Sequence, residues 1–111
     1  MPESTTATLM RIFVDESDRR GAQPLYVTIV EMLRKQGIAG ATVFKGIEGY
    51  GSHRQIHAAR TFDLSTNLPI LIEAIDSEEK IEQAIPLLRE LIPEGLITFE
   101  KVQMLQLRGP Q

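Results

Sequence analysis

Residues 68–102 read LPILIEAIDSEEKIEQAIPLLRELIPEGLITFEKV, and this stretch decides the fold. LPILIEAID (68–76) alternates as a strand, with Leu68, Ile70, Ile72 and Ala74 on one face and Leu71, Glu73 and Ile75 on the other. Asp76 or Ser77 then supplies a helix cap, with Glu78 and Glu79 at the positive end of the helix dipole. Ile81, Ala84, Ile85, Leu88 and Leu91 recur at helical spacing. Pro86 should kink or split this helix, because it lacks the N–H that an interior turn needs. PEG (93–95) is a turn, and LITFEKVQML (96–105) is a further strand.

Working back toward the N-terminus, the same β-α-β order appears a second time. ATLMRIFVDE (7–16) places Met10, Ile12 and Val14 on one face and Leu9, Arg11 and Phe13 on the other. After the turn-like SDRRGAQ, Pro24 suits a helix's first turn, and Tyr26, Ile29, Val30 and Leu33 recur at helical spacing. Arg34, Lys35 and Gly37 are its stop signals. GATVFKGI (40–47) is a strand running into a glycine cluster. The order β-α-β-β-α-β predicts an α+β, ferredoxin-like domain, a four-stranded antiparallel sheet with two helices on one face. The two halves show no sequence self-similarity.

The bulk properties bound the function. One domain over residues 1–111 is long enough to bury about two-thirds of its unfolded surface. An ordered core of about 7–105 is expected, with MPESTT and RGPQ as disordered ends. The net charge of −3 argues against nucleic acid as a partner. With no cysteine, disulfides, thiolate metal sites and a Cys nucleophile are excluded. No apolar run reaches the about 18 residues of a membrane span, and the N-terminus does not read as a signal peptide, so a cytoplasmic protein is expected.

Two helices cover one face of such a sheet, yet strand three is apolar on both faces except at Glu73, and strand one shows Leu9 and Phe13 on the second. Either a closed oligomer covers the second face, or the 48–67 segment folds back over it.

KGIEGYGSHRQIHAAR (45–60) is the stretch richest in chemistry. Gly46, Gly49 and Gly51 permit close approaches and unusual backbone conformations, as a phosphate cradle requires and as a plain strand end also does. The pattern fits neither the Walker A nor the dinucleotide fingerprint. Lys45, Arg54 and Arg60 face only Glu48 locally, before His53 and His57 are counted, which favours a small anionic ligand or an ordinary solvated loop. His53 and His57 have the i, i+4 spacing of a metal pair but lack a third ligand of fixed spacing. No nucleophile elbow and no spaced carboxylate pair is present, and His53 has no positioned partner as a base, so no catalytic residue is assigned.

MRIFVDE, LRKQGIAGATVFKGIEGYG and LPILIEAID resemble, over residues 7–105, an uncharacterised bacterial and archaeal family of the PII-like (nitrogen regulatory protein-like) superfamily. The resemblance implies a homotrimer, signal transduction rather than catalysis, and an adenine nucleotide (AMP, ADP, ATP or a cyclic nucleotide) bound between subunits. It implies a T-loop between strands two and three and a B-loop before strand four. By position, Gly46, Gly49, Tyr50 and Gly51 would form the T-loop base, and Ser52–Asn67 the loop itself. His53, Arg54, His57 and Arg60 would supply charge, and Pro93, Glu94 and Gly95 would stand at the B-loop. Regulatory targets implied are a membrane transporter or a metabolic enzyme. IPEGLI is shorter than the glycine- and lysine-rich PII B-loop and carries a carboxylate, which weighs against PII-type triphosphate binding. The T-loop tyrosine that some PII proteins modify has no counterpart. The same fold occurs in divalent-ion tolerance trimers, an alternative in which His53 and His57 hold a metal. A small enzyme acting on an anionic substrate is the third reading.

Overall fold

In the computed structural model the described residues are 3–51, 56–58 and 67–109; the side chains of His57 and Ala58 lie outside that description. The main elements are β1 (Thr5–Asp15), α1 (Leu25–Lys35), β2 (Gly40–Lys45), β3 (Pro69–Asp76), α2 (Glu78–Leu91) and β4 (Leu96–Met104). They form a four-stranded sheet in the order β2-β3-β1-β4, with all neighbours antiparallel. This is the ferredoxin-like arrangement expected from the element order. Two short ladders accompany it, Arg19–Arg20 with Gln23–Pro24 and Glu48–Gly49 with His57–Ala58.

Alternation along the strands makes the core. Met10, Ile12 and Val14 of β1 and Ile70, Ile72 and Ala74 of β3 bury one sheet face against Leu25, Ile29 and Leu33 of α1 and Ile81, Ala84 and Leu88 of α2. Each such Leu, Ile or Met contributes about 1.5–3 kcal/mol by burial, so these residues carry the fold. Helix ends follow their sequence signals. The Leu25 amide donates to the Asp18 carbonyl (2.7 Å) just after Pro24, the N-cap, one position earlier than a first-turn proline. Gly37, at φ 75°, ends α1 in a Schellman motif, donating to Arg34 O while Ile38 donates to Leu33 O. Ser77 caps α2 by accepting from the Lys80 amide, whereas Asp76 accepts from the Ala39 amide (2.8 Å) and anchors the approach to β2.

Three expectations need correction. MPESTT is not wholly disordered: Thr5 pairs with Met104 and Thr6 with Gln103, and Gln103 also donates to the Thr6 hydroxyl. Pro86 neither splits nor ends α2, which runs unbroken from Glu78 to Leu91. It sits on the exposed side of the helix, where water can take the hydrogen bond that the Glu82 carbonyl loses. β2 stops at Lys45 rather than Ile47: the Gly46 amide still donates to the Pro69 carbonyl (2.8 Å) in the ladder register, but Pro69 has no N–H to return the paired bond.

The second sheet face carries an apolar row at the end where β1 finishes and charged residues in the row behind it. Phe13, Phe44 and Leu96 remain 39%, 47% and 61% exposed there. Two residues back along β1, Arg11 donates to Glu73 on β3 (3.0 Å) and to Glu100 on β4 (2.9 Å). Its hydrogen bond to the Glu100 carboxylate, then that to Glu73, raises the Arg11 pKa above its ordinary value. Among the described residues no helix is long and apolar enough to cross a membrane.

Candidate ligand-binding cleft

At one end of the sheet β1 and β2 finish while β3 and β4 begin, with Phe13 opposite Leu96 and Val14 opposite Ile70. The loops that leave this end enclose a cleft of about 440 Å³. One wall is the β1–α1 turn, contributing Asp15, Asp18 and Arg19. The second is Tyr50 and Gly51, beyond the end of β2, and the third is the Pro93–Gly95 turn before β4. Leu25, Pro69, Ile70 and Leu96 give it an apolar floor.

Each wall is held by local chemistry. The Asp15 amide donates to Asp18 Oδ2 (2.9 Å), and the Asp18 amide returns a bond to the Asp15 carbonyl (3.1 Å), closing a tight turn at both ends. Arg19 Nη2 donates to the Ala22 carbonyl (2.7 Å), bracing the small hairpin that Gly21 turns at φ 63°. The Pro93–Gly95 turn approaches β1 so closely that a Cβ on Gly95 would stand 3.1 Å from the Phe13 carbonyl oxygen. Gly46 and Gly49 lie against the Pro69 ring, where a Cβ would come within 2.8 Å and 3.1 Å of its Cγ.

Of the residues singled out in the sequence, Tyr50, Gly51, Glu94 and Gly95 share this cleft. Gly46 and Gly49 stand behind it, packing on Pro69. None of the three glycines of the cluster adopts a left-handed conformation, and a Cβ on Gly51 would meet open space. Close approach therefore explains Gly46 and Gly49 and leaves Gly51 without a steric reason. His53, Arg54 and Arg60 lie outside the described residues, as does the His57 side chain; the His57 backbone pairs with Gly49. Among the described residues, no group of three or more His, Asp or Glu side chains is placed to hold a metal ion.

Sequence reasoning missed Asp15, Asp18 and Arg19. Their signal was present: a run of charge, DESDR, placed where β1 leaves the sheet, whose first two residues read as the strand's end and the rest as a turn. Charge in the described lining is mixed, with Asp15, Asp18 and Glu94 against Arg19. Such a wall offers acceptors to hydroxyl and amino groups and one bidentate donor to an anion.

A β2-β3-β1-β4 sheet with two helices on one face is the fold of the solved PII-like proteins. The chain superposes on CPII, a nitrogen regulatory PII-like protein from Thiomonas intermedia K12, in its structure bound to ADP and bicarbonate. The TM-score is 0.69 at 16% identity, over 93% of this chain and 92% of that one. The chain belongs to the family DUF190, described as Uncharacterized ACR, COG1993, whose model matches residues 7–104. It is 37% identical over 99 residues to a UPF0166 protein of Aquifex aeolicus (strain VF5), covering 89% of this chain and 93% of the relative. To a UPF0166 protein of Methanocaldococcus jannaschii it is 42% identical over 92 residues, covering 82% and 84% respectively. The family thus spans bacteria and archaea.

Proposed function

We propose that the protein is a PII-like regulatory trimer that binds a small anionic ligand, an adenine nucleotide, in this cleft and signals through the 48–67 segment. The observation that carries the reading is the meeting of Tyr50 and Gly51, at the root of that segment, with Glu94 and Gly95 in one cleft. At about 440 Å³ the space is within the range of small-molecule sites. The adenine packs on Tyr50 and the apolar floor. The ribose hydroxyls and the amino group donate to the carboxylates, and Arg19 takes the phosphate. With three carboxylates against one guanidinium in the described lining, a mono- or diphosphate suits the site better than a triphosphate. The ADP in CPII supports the same ligand class.

The exposed Phe13, Phe44 and Leu96 favour burial of the second sheet face against other copies, which brings neighbouring subunits to the cleft mouth. A transporter or metabolic enzyme is the class of target, and regulation rather than turnover is the activity. Isothermal titration with AMP, ADP and ATP, paired with native mass spectrometry, tests the reading. No binding of any of the three at ligand concentrations up to about 1 mM, where binding is worth only about 4 kcal/mol, overturns it.

A further inference from the structure

Glu16 stands just outside the cleft, where β1 ends, with its side chain only 19% exposed. Its carboxylate is shared between the two ends of the segment that runs from β2 to β3. Oε2 pairs with Lys45 Nζ at 2.6 Å, on the outgoing side. Oε1 accepts from the Leu68 amide at 3.4 Å, on the incoming side. The Glu16 amide returns a bond to the Leu68 carbonyl (2.9 Å), and the next amide, Ser17, donates to Asn67 Oδ1 (3.2 Å). Beside this lacing the Gly46 amide donates to Pro69 O, so the outgoing and incoming strands also grip each other.

The same short turn faces the cleft with its other residues. Asp15 and Asp18 line it while bonding each other at both ends of the turn, and Arg19 follows directly. One four-residue turn thus has its cleft side in Asp15 and Asp18 and its loop side in Glu16 and Ser17. Neither side can shift alone, because consecutive residues of a hydrogen-bonded turn share its few soft dihedrals.

We infer that the Asp15–Asp18 turn couples occupancy of the cleft to the position of both roots of the 46–67 segment, with Glu16 as the coupling residue. A ligand that draws on Asp15 or Asp18 resets the turn, and Glu16 carries the change to Lys45 and Leu68 together. This assigns the regulation of the site proposed above and rests on that reading for the identity of the ligand, though not for the coupling itself. Glu16 is a positioning residue: it does not line the cleft.

The test uses the full chain and has two arms. The first needs no ligand and reads amide hydrogen exchange at Gly46 and Leu68, with Ile12 and Ile72 reporting the core. D18A loosens the turn from its cleft side and should speed exchange at Gly46 and Leu68 about tenfold while Ile12 and Ile72 hold. In an E16Q background, where the Lys45 pair is already lost, D18A should add less than about twofold. Unmoved Gly46 and Leu68 amides in D18A, or two effects that multiply independently, overturn the inference. If D18A also frees the core amides, D18L, which keeps the side chain's size without an acceptor, is read by the same two outcomes.

The second arm adds AMP. Wild type should gain protection at both amides, whereas E16Q and K45M should bind AMP within about twofold of wild type and show no gain. AMP that binds wild type without protecting these amides overturns the coupling, as does full protection in E16Q. AMP that fails to bind counts against the nucleotide reading alone, and the first arm still decides the coupling.

Discussion

Gly95 crosses the end of β1 so closely that a methyl group on its Cα would stand 3.1 Å from the Phe13 carbonyl oxygen and 3.0 Å from Ile92 Cγ2. One of these neighbours is backbone in the middle of a sheet and cannot yield without disturbing the Phe13–Leu96 pair. Gly95→Ala should therefore cost about 1–3 kcal/mol, the usual range for overpacking, read as a lower midpoint of urea unfolding at constant slope. The same shift moves the wall that carries Glu94, so nucleotide affinity should fall with it. An alanine variant as stable as wild type would show that the turn has slack.

The glycine cluster after β2 separates into positions with different reasons. A Cβ on Gly46 would stand 2.8 Å from the Pro69 ring and 3.4 Å from the Pro69 carbonyl oxygen, while one on Gly51 would meet nothing within 4 Å. Gly46→Ala should destabilise by about 1–3 kcal/mol, and Gly51→Ala should stay within about 0.5 kcal/mol of wild type. Thermal melts of the two variants side by side decide it. Equal effects would mean that conformational freedom, not contact with Pro69, governs both.

What the sequence made legible follows from periodicity. Met10, Ile12 and Val14 announced the buried face of β1, and Ser77 its helix cap, because alternation and capping act within a few residues of themselves. The cleft was half legible. Tyr50, Gly51, Glu94 and Gly95 came from the family resemblance, whereas Asp15, Asp18 and Arg19 meet them only through the Phe13–Leu96 and Asp15–Pro69 registers. Glu16 and Lys45 illustrate the limit: nothing local to either residue marks the other as its partner. Register and loop approach are long-range facts, and a single chain read in order does not contain them.

Pro86 tests whether an irregular residue within α2 costs stability. The helix passes through it unbroken, but the Glu82 carbonyl has no amide four residues on to accept from. Pro86→Ala restores that donor at an exposed position of high helix propensity and should stabilise by about 1–3 kcal/mol. Circular dichroism should show the same helix content with a higher melting temperature. A variant of lower stability would mean that the proline ring makes contacts worth more than the missing bond.

Arg11 offsets one of two carboxylate charges on the open sheet face by pairing with both Glu73 and Glu100. Its pKa is raised, so the cation is present at every pH below its ordinary value and is lost only above it. Assembly through this face should therefore not weaken across the mildly alkaline range through loss of that charge. Arg11→Glu places three carboxylates together and repeats them in each copy, which should shift the proposed trimer toward monomer in native mass spectrometry. A trimer that survives the substitution unchanged would place the interface elsewhere.

Arg19 supplies the cationic group among the described lining of the cleft, and it donates to the Ala22 carbonyl of its own hairpin. A guanidinium so braced is pre-organised for an anion, with donors to spare beyond that bond. Arg19→Ala should weaken AMP binding about tenfold, equivalent to about 1.4 kcal/mol, while the melting temperature of the ligand-free protein stays close to wild type. Arg19→Lys should recover only part of the loss, since an ammonium keeps the charge but not the fork that grips two phosphate oxygens. Adenosine, which has no phosphate, should bind wild type and Arg19→Ala alike. Titration of AMP and adenosine into the three proteins separates the outcomes. Equal losses for both ligands would assign Arg19 to the shape of the cleft rather than to the phosphate, and an unchanged AMP affinity would move the phosphate to another wall.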